Sequence, residues 1–146
     1  MVTVSIAALV FATLFAGAAH YISLVEHPAR LELADGPLLA QWQPSYRRAL
    51  PIQSGLAIAG GVAGLIAGYL SADWRWFAGS LLLLANWPVT LLIIMPVNKR
   101  LMALREREAG AESRAMLVQW GKLHALRSAL GAATTLLFAW ALAGAG

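Results

Sequence analysis

Four long apolar runs, separated by polar stretches of unequal length, organise the chain. They extend roughly from Val2 to Val25, Ile52 to Leu70, Phe77 to Val97 and Leu123 to Leu142. A helix needs about 20 apolar residues to cross the hydrocarbon of a bilayer, so each run predicts one span. The third run is broken in a way a plain span would avoid. Asn86-Trp87-Pro88 sits in its middle and Met95-Pro96-Val97-Asn98 closes it. Each proline removes a backbone N–H, and each asparagine amide placed in hydrocarbon must find its hydrogen bonds inside the protein.

The polar stretches differ in character. Ser71 to Trp76 is a tight turn with Trp74 and Trp76 at interfacial depth. The first connection contains Pro28, Asp35-Gly36-Pro37 and Pro44, and predicts a short amphipathic surface helix broken at both ends. In the third, Arg105-Glu106-Arg107-Glu108 and Gly110 predict that the third span continues outward before a turn leads into the fourth helix. Within the second run Gly60, Gly64 and Gly68 recur every four residues, a stripe that lets helix backbones approach closely in a bundle or in a homo-oligomer. The resulting expectation is all-α: one integral membrane domain over 1–146, a four-helix bundle with short amphipathic cytoplasmic helices.

Composition and charge orient this bundle. Sixty per cent of the 146 residues are hydrophobic and 12 per cent are charged, which places the chain in a bilayer. With no cysteine, thiolate metal sites, disulfides and thiol nucleophiles are excluded. Of the 11 Lys and Arg residues, Arg75 alone lies away from the first and third connections. The positive-inside rule puts both connections in the cytoplasm and both termini outside, in a bacterial inner or plasma membrane. The net charge of +4 then serves orientation and lipid contact rather than nucleic-acid binding. Small residues at Ala16 to Ala19 resemble a signal-peptidase site, but without a basic flank the first run reads as a retained span.

That topology gathers the polar side chains in one leaflet. His20, Glu26 and His27 share it with Tyr46, Gln53, Asn98, Trp120, His124 and Arg127, and Asn86 with Trp87 lies nearer the midplane. An intramembrane cluster of this kind is a functional-site hypothesis. Trp120, His124 and Arg127 stand at i, i+4 and i+7, on one helix face. His20 and His27 are also seven apart, hence on one face but about 10.5 Å apart along a regular helix, too far to share one metal. No residue is therefore assigned as a metal ligand. For Arg127 the alternatives are snorkelling to headgroups, pairing with Glu26, or contact with an anionic substrate.

Glu26-His27-Pro28-Ala29-Arg30, Trp42-Gln43-Pro44-Ser45-Tyr46, Asn86-Trp87-Pro88-Val89-Thr90, Met95-Pro96-Val97-Asn98-Lys99-Arg100-Leu101 and Trp120 with His124 and Arg127 together resemble the anthrone-oxygenase-like family of small four-span membrane proteins. The resemblance implies a membrane-embedded oxygenase that acts with O2 on a lipophilic, anthrone-like aromatic substrate and has no obligatory cofactor. In that reading His124 is the general base, Asn86 and Asn98 bind a developing oxyanion and Arg127 favours the anion. His20, Glu26, His27, Tyr46, Gln53, Trp87 and Trp120 would contact substrate. The alternatives are a non-catalytic carrier for a lipophilic molecule or quinone, and a haem or other metal protein with a histidine ligand.

Overall fold

A backbone amide in hydrocarbon has no water to bond, so an apolar run satisfies its polar groups by becoming helix. The computed structural model describes residues 1–144, and the last two residues of the expected 1–146 domain lie outside the described residues. It contains α1 (Val2–Leu31), α2 (Asp35–Ser71), α3 (Trp74–Ala103) and α4 (Ala111–Ala143), each long and apolar enough to cross a membrane. No strand occurs among the described residues. The chain is the all-α membrane bundle expected from its pattern.

Two of the helices are not regular. In α1 a π-helical turn at Ile22–Glu26 precedes His27-Pro28. In α3 another follows Asn86-Trp87-Pro88, at Val89–Ile94, before the helix resumes at Met95-Pro96. Wide turns of this kind absorb the hydrogen bonds that proline cannot make and change the facing of every side chain beyond them.

The first connection departs from expectation. No separate surface helix breaks at Pro44; α2 runs through both Pro44 and Pro51 without interruption. The reason is burial: Leu38, Leu39 and Trp42 are fully enclosed, and this packing outweighs the one backbone bond that each proline removes. The fourth helix begins at Ala111, directly after the turn expected at Gly110, and its first turns are held by Met116, Leu117 and Trp120, which already face the core. The third span does continue outward, to Ala103, and a short 3-10 turn at Glu106–Glu108 leads into α4.

Each helix packs on its neighbours in sequence, and α4 closes the ring against α1. At the end of the bundle where the chain starts, Ala8, Ala12, Phe15, Ala57, Trp76, Leu83 and Phe138 form one apolar core. At the opposite, basic end Ile22, Leu38, Leu39, Trp42, Leu101, Leu117 and Trp120 belong to a second. Side-chain ties fix this basic end. Gln43 Nε2 donates to the Leu101 and Leu104 carbonyls, both at 2.9 Å, and so closes the end of α3. Arg114 donates to Asp35 at 2.5 Å and to the Leu31 carbonyl at 2.8 Å, joining α4 to the end of α1 and the start of α2. At the other end Asp73 caps α3 by accepting from the Arg75 N–H at 3.0 Å. Hydrogen bonding from the Arg75 side chain holds the Asp73 carboxyl below its ordinary range.

The glycine stripe of α2 faces partners within the bundle. A methyl group on Gly64 would lie 2.3 Å from Ser80 Oγ and 2.5 Å from Phe138 Cζ. At Gly60 it would meet Leu83 at 2.8 Å and Phe11 at 3.2 Å, whereas at Gly55 it would meet nothing within 4 Å. Gly64→Ala is therefore expected to destabilise the protein by about 1–3 kcal/mol through overpacking, and Gly55→Ala to leave it unchanged or slightly firmer. Thermal unfolding of the two variants in the same detergent checks the contrast.

Candidate functional site

Between the two apolar cores lies a layer of polar side chains drawn from all four helices. From α4 come His124, Arg127 and Ser128, each buried. α1 contributes Ser23, whose hydroxyl lies 2.9 Å from His124 Nδ1 and 2.9 Å from Ser128 Oγ. The serine pair holds the imidazole by Nδ1, so Nε2 is the nitrogen left for chemistry. From α3 Asn98 donates through Nδ2 to the Tyr46 hydroxyl of α2 at 3.1 Å, and its Oδ1 has no partner. Gln53 of α2 is 3% exposed, with Nε2 also unpartnered.

An aromatic box supports these groups. Trp42 and Tyr46, one helical turn apart on α2, stack at 5.0 Å. Trp42 meets Trp120 edge-on at 5.6 Å, and Trp120 stacks on His124 at 4.8 Å. His27 packs on the other side of Trp120 at 5.1 Å. Gly121 makes room for it, because a methyl group there would come within 2.5 Å of His27 Nε2.

Two arginines from opposite sides of the layer have contrasting surroundings. Arg30 is buried but bonded to Glu26, Gln41 and Ser45. Arg127 is 7% exposed, sits over the Phe15 ring at 5.5 Å, and its Nε has no hydrogen-bond partner. Among the described residues no carboxylate pairs with it. Neither snorkelling nor a Glu26 pair accounts for Arg127, since Glu26 is taken by Arg30 and Ser45.

Two cavities meet at Arg127 and Leu50. The inner one, of about 20 Å³, is lined by residues including Tyr46, Gln53, Asn98, Trp120 and His124. It has space for one molecule of the size of water or O2. The outer one, of about 110 Å³, lies between α2 and α3 and is lined by Ser54, Ala57, Asn86, Trp87, Thr90, Leu91 and Met95. Asn86 uses its amide nitrogen on the Leu82 and Leu83 carbonyls, at 3.4 and 3.0 Å, in the stretch that Pro88 disturbs. Its Oδ1 is buried without a partner. Asn86 thus makes no helix-to-helix hydrogen bond through its amide nitrogen; it steadies its own broken helix.

The anthrone oxygenase family model matches residues 42–137. The chain belongs to this family. The anthrone oxygenase match spans Trp42, Tyr46, Gln53, Asn86, Asn98, Trp120, His124 and Arg127, and leaves the α1 residues Ser23, His27 and Arg30 outside it. No curated protein and no solved structure matches the chain.

Of the residues singled out in the sequence, His124, Asn98, Arg127, Tyr46, Gln53 and Trp120 line the inner cavity of this anthrone oxygenase family member, and Asn86 and Trp87 the outer one. Three lie elsewhere. Glu26 is held in the Arg30 ion pair, His27 packs behind Trp120, and His20 bonds by Nδ1 to its own Ala16 carbonyl at 2.8 Å. The shared face expected for His20 and His27 is lost because the π turn at Ile22–Glu26 shifts the register between them. Sequence reasoning passed over Trp42, Arg30, Ser45, Ser23 and Ser128 as site components. Trp42 and Tyr46 carried an i, i+4 signal; Ser23 and Ser128, 105 positions apart, carried none. Among the described residues no three of His, Asp and Glu come together as a metal-holding group.

The Gly121 contact is testable by a double-mutant cycle. Gly121→Ala is expected to cost about 1–3 kcal/mol by pushing His27 off Trp120, whereas in the His27→Ala background the same change should cost much less. Additive effects on unfolding would show that the two residues do not constrain each other.

Proposed function

We propose that this protein is a membrane-embedded oxygenase that converts a lipophilic, anthrone-type ketone to a quinone with O2. The observation that supports this reading best is the buried Arg127 guanidinium, a full charge without a carboxylate, at the junction of a His124-lined cavity and an opening toward lipid. An uncompensated buried cation costs several kcal/mol, and a substrate that becomes an anion during reaction recovers that cost at the step where stabilisation accelerates it.

The chemistry balances without an external reductant. His124 Nε2 takes a proton from the acidic methylene, leaving an enolate whose oxygen faces Arg127. The enolate passes electrons to O2, and a carbon–oxygen bond forms to give a peroxide, protonated by the His124 imidazolium. Loss of the second methylene proton together with O–O cleavage leaves the new carbonyl and releases water. One oxygen atom enters the product, the other becomes water, and the substrate supplies all four electrons. Asn98, with its Oδ1 free, and Gln53, with its Nε2 free, supply a hydrogen-bond acceptor and donor at the inner cavity. Ser23 acts through His124 as a positioning residue.

The apolar bundle concentrates both substrate and O2, and the excess of basic residues at one end supports a cytoplasmic location for that end. The bilayer and a lipophilic molecule are then the protein's partners.

His124→Ala should lower O2 uptake with anthrone by about 10²–10⁴-fold relative to the wild-type rate above background, and Ser23→Ala by less. Arg127→Ala should lower turnover by about 10²–10³-fold. Oxygen-electrode measurements on detergent-purified protein check both; uptake that is unchanged in His124→Ala sinks the base role, and binding without any uptake identifies a carrier.

A further inference from the structure

The outer cavity has features that the oxygenase reading does not require. It opens along the seam where α3 is wound wide, at Val89–Ile94, directly after Pro88. Two of its lining residues, Trp87 and Leu91, are 40% and 49% exposed, an apolar surface that in a bilayer faces acyl chains. Two other lining residues are polar and incompletely bonded: Asn86, whose buried Oδ1 has no partner, and Arg127, whose Nε has none. An unpartnered acceptor and a charged donor in the wall of an apolar slot match a ligand with a flat hydrocarbon body and an oxygenated edge.

Resting on the oxygenase reading, we infer that the α2–α3 seam is a lateral entrance from the bilayer, in which a planar lipophile bearing a phenol and a ketone docks with its phenol donating to Asn86 Oδ1 and its ketone accepting from Arg127. Ser54 lines the slot from α2 and Thr90 from α3. At about 110 Å³ the slot is smaller than the cavity of about 150 Å³ that holds a single benzene ring, so the ligand must part the seam. The yielding side is α3. Below its break it touches α2 far less than the outer segment Trp74–Leu84 does, so the seam can widen there without dismantling the core. The inner cavity adjoins the slot at Arg127 and Leu50, so a small molecule such as O2 held there lies beside the edge of the ligand that reaches toward His124.

The test uses the full chain in phosphatidylcholine vesicles with 2-hydroxy-9,10-anthraquinone, which carries a ketone and a phenol free to donate, and no oxidisable methylene. Binding is read by quenching of tryptophan fluorescence. Ser54→Phe, which fills the slot, is expected to weaken binding about tenfold or more, and Ser54→Ala to leave it unchanged. Trp87→Phe, at an exposed position where folding is secure, is expected to reduce the quenching amplitude. His124→Ala should bind like the wild type while losing O2 uptake, which separates this inference from the catalytic reading. Wild-type affinity in Ser54→Phe, or full quenching amplitude in Trp87→Phe, would overturn the lateral entrance even if turnover depends on His124.

Discussion

Inside a bilayer each peptide group must be satisfied by the protein itself, and this constraint shapes the structure at every level. It makes the four apolar runs helices, and it makes proline conspicuous. At Pro28 and Pro88 the helix responds with a π turn, and the widened turns adjoin the polar layer. The same constraint explains Asn86, whose amide nitrogen covers carbonyls of its own helix, while its buried oxygen is left without a partner.

The polar layer survives because of what encloses it. Apolar cores lie on either side, one built around Phe15 and Phe138, the other around Trp42, Leu101 and Trp120. In surroundings of low dielectric, hydrogen bonds such as that of Ser23 to His124 are strengthened, and unpaired groups such as Arg127 Nε are held at high energy. Arg30 shows the resting alternative, a guanidinium saturated by Glu26, Gln41 and Ser45. The two buried arginines differ in their bonding: Arg30 holds α1 to α2, whereas Arg127 has neither a carboxylate nor a partner for its Nε among the described residues.

Much of this was legible in the sequence, for reasons that can be named. Hydropathy marked the four spans because bilayer thickness fixes their length. The i, i+4, i+7 spacing of Trp120, His124 and Arg127 put them on one face, since α4 is regular there. Where the helix is irregular, spacing failed: the π turn in α1 separated His20 from His27. The separate surface helix expected in the first connection was also misjudged. Leu38, Leu39 and Trp42 are buried by protein rather than lipid, a distinction that hydropathy does not record. Ser23 and Ser128 meet through tertiary packing alone, and nothing in either local sequence announces it.

The lengths of the helices carry a further consequence. With 37 residues α2 is about 55 Å long, well beyond a hydrocarbon core of about 30 Å. Trp74 and Trp140 pack together at the opposite end of the bundle, a natural anchor at the membrane surface. Thirteen residues separate Arg127 from Trp140, so the guanidinium sits about 20 Å below that surface, and the Trp42 box lies lower still. With a core of about 30 Å, that leaves the guanidinium within the acyl region of the far leaflet, about 10 Å short of its headgroups. A flat phenolic ketone dissolved in a bilayer orients itself toward that same boundary, rings in the oil and oxygens toward water. The membrane would deliver it already facing the right way, so the protein needs to recognise it across two dimensions rather than three.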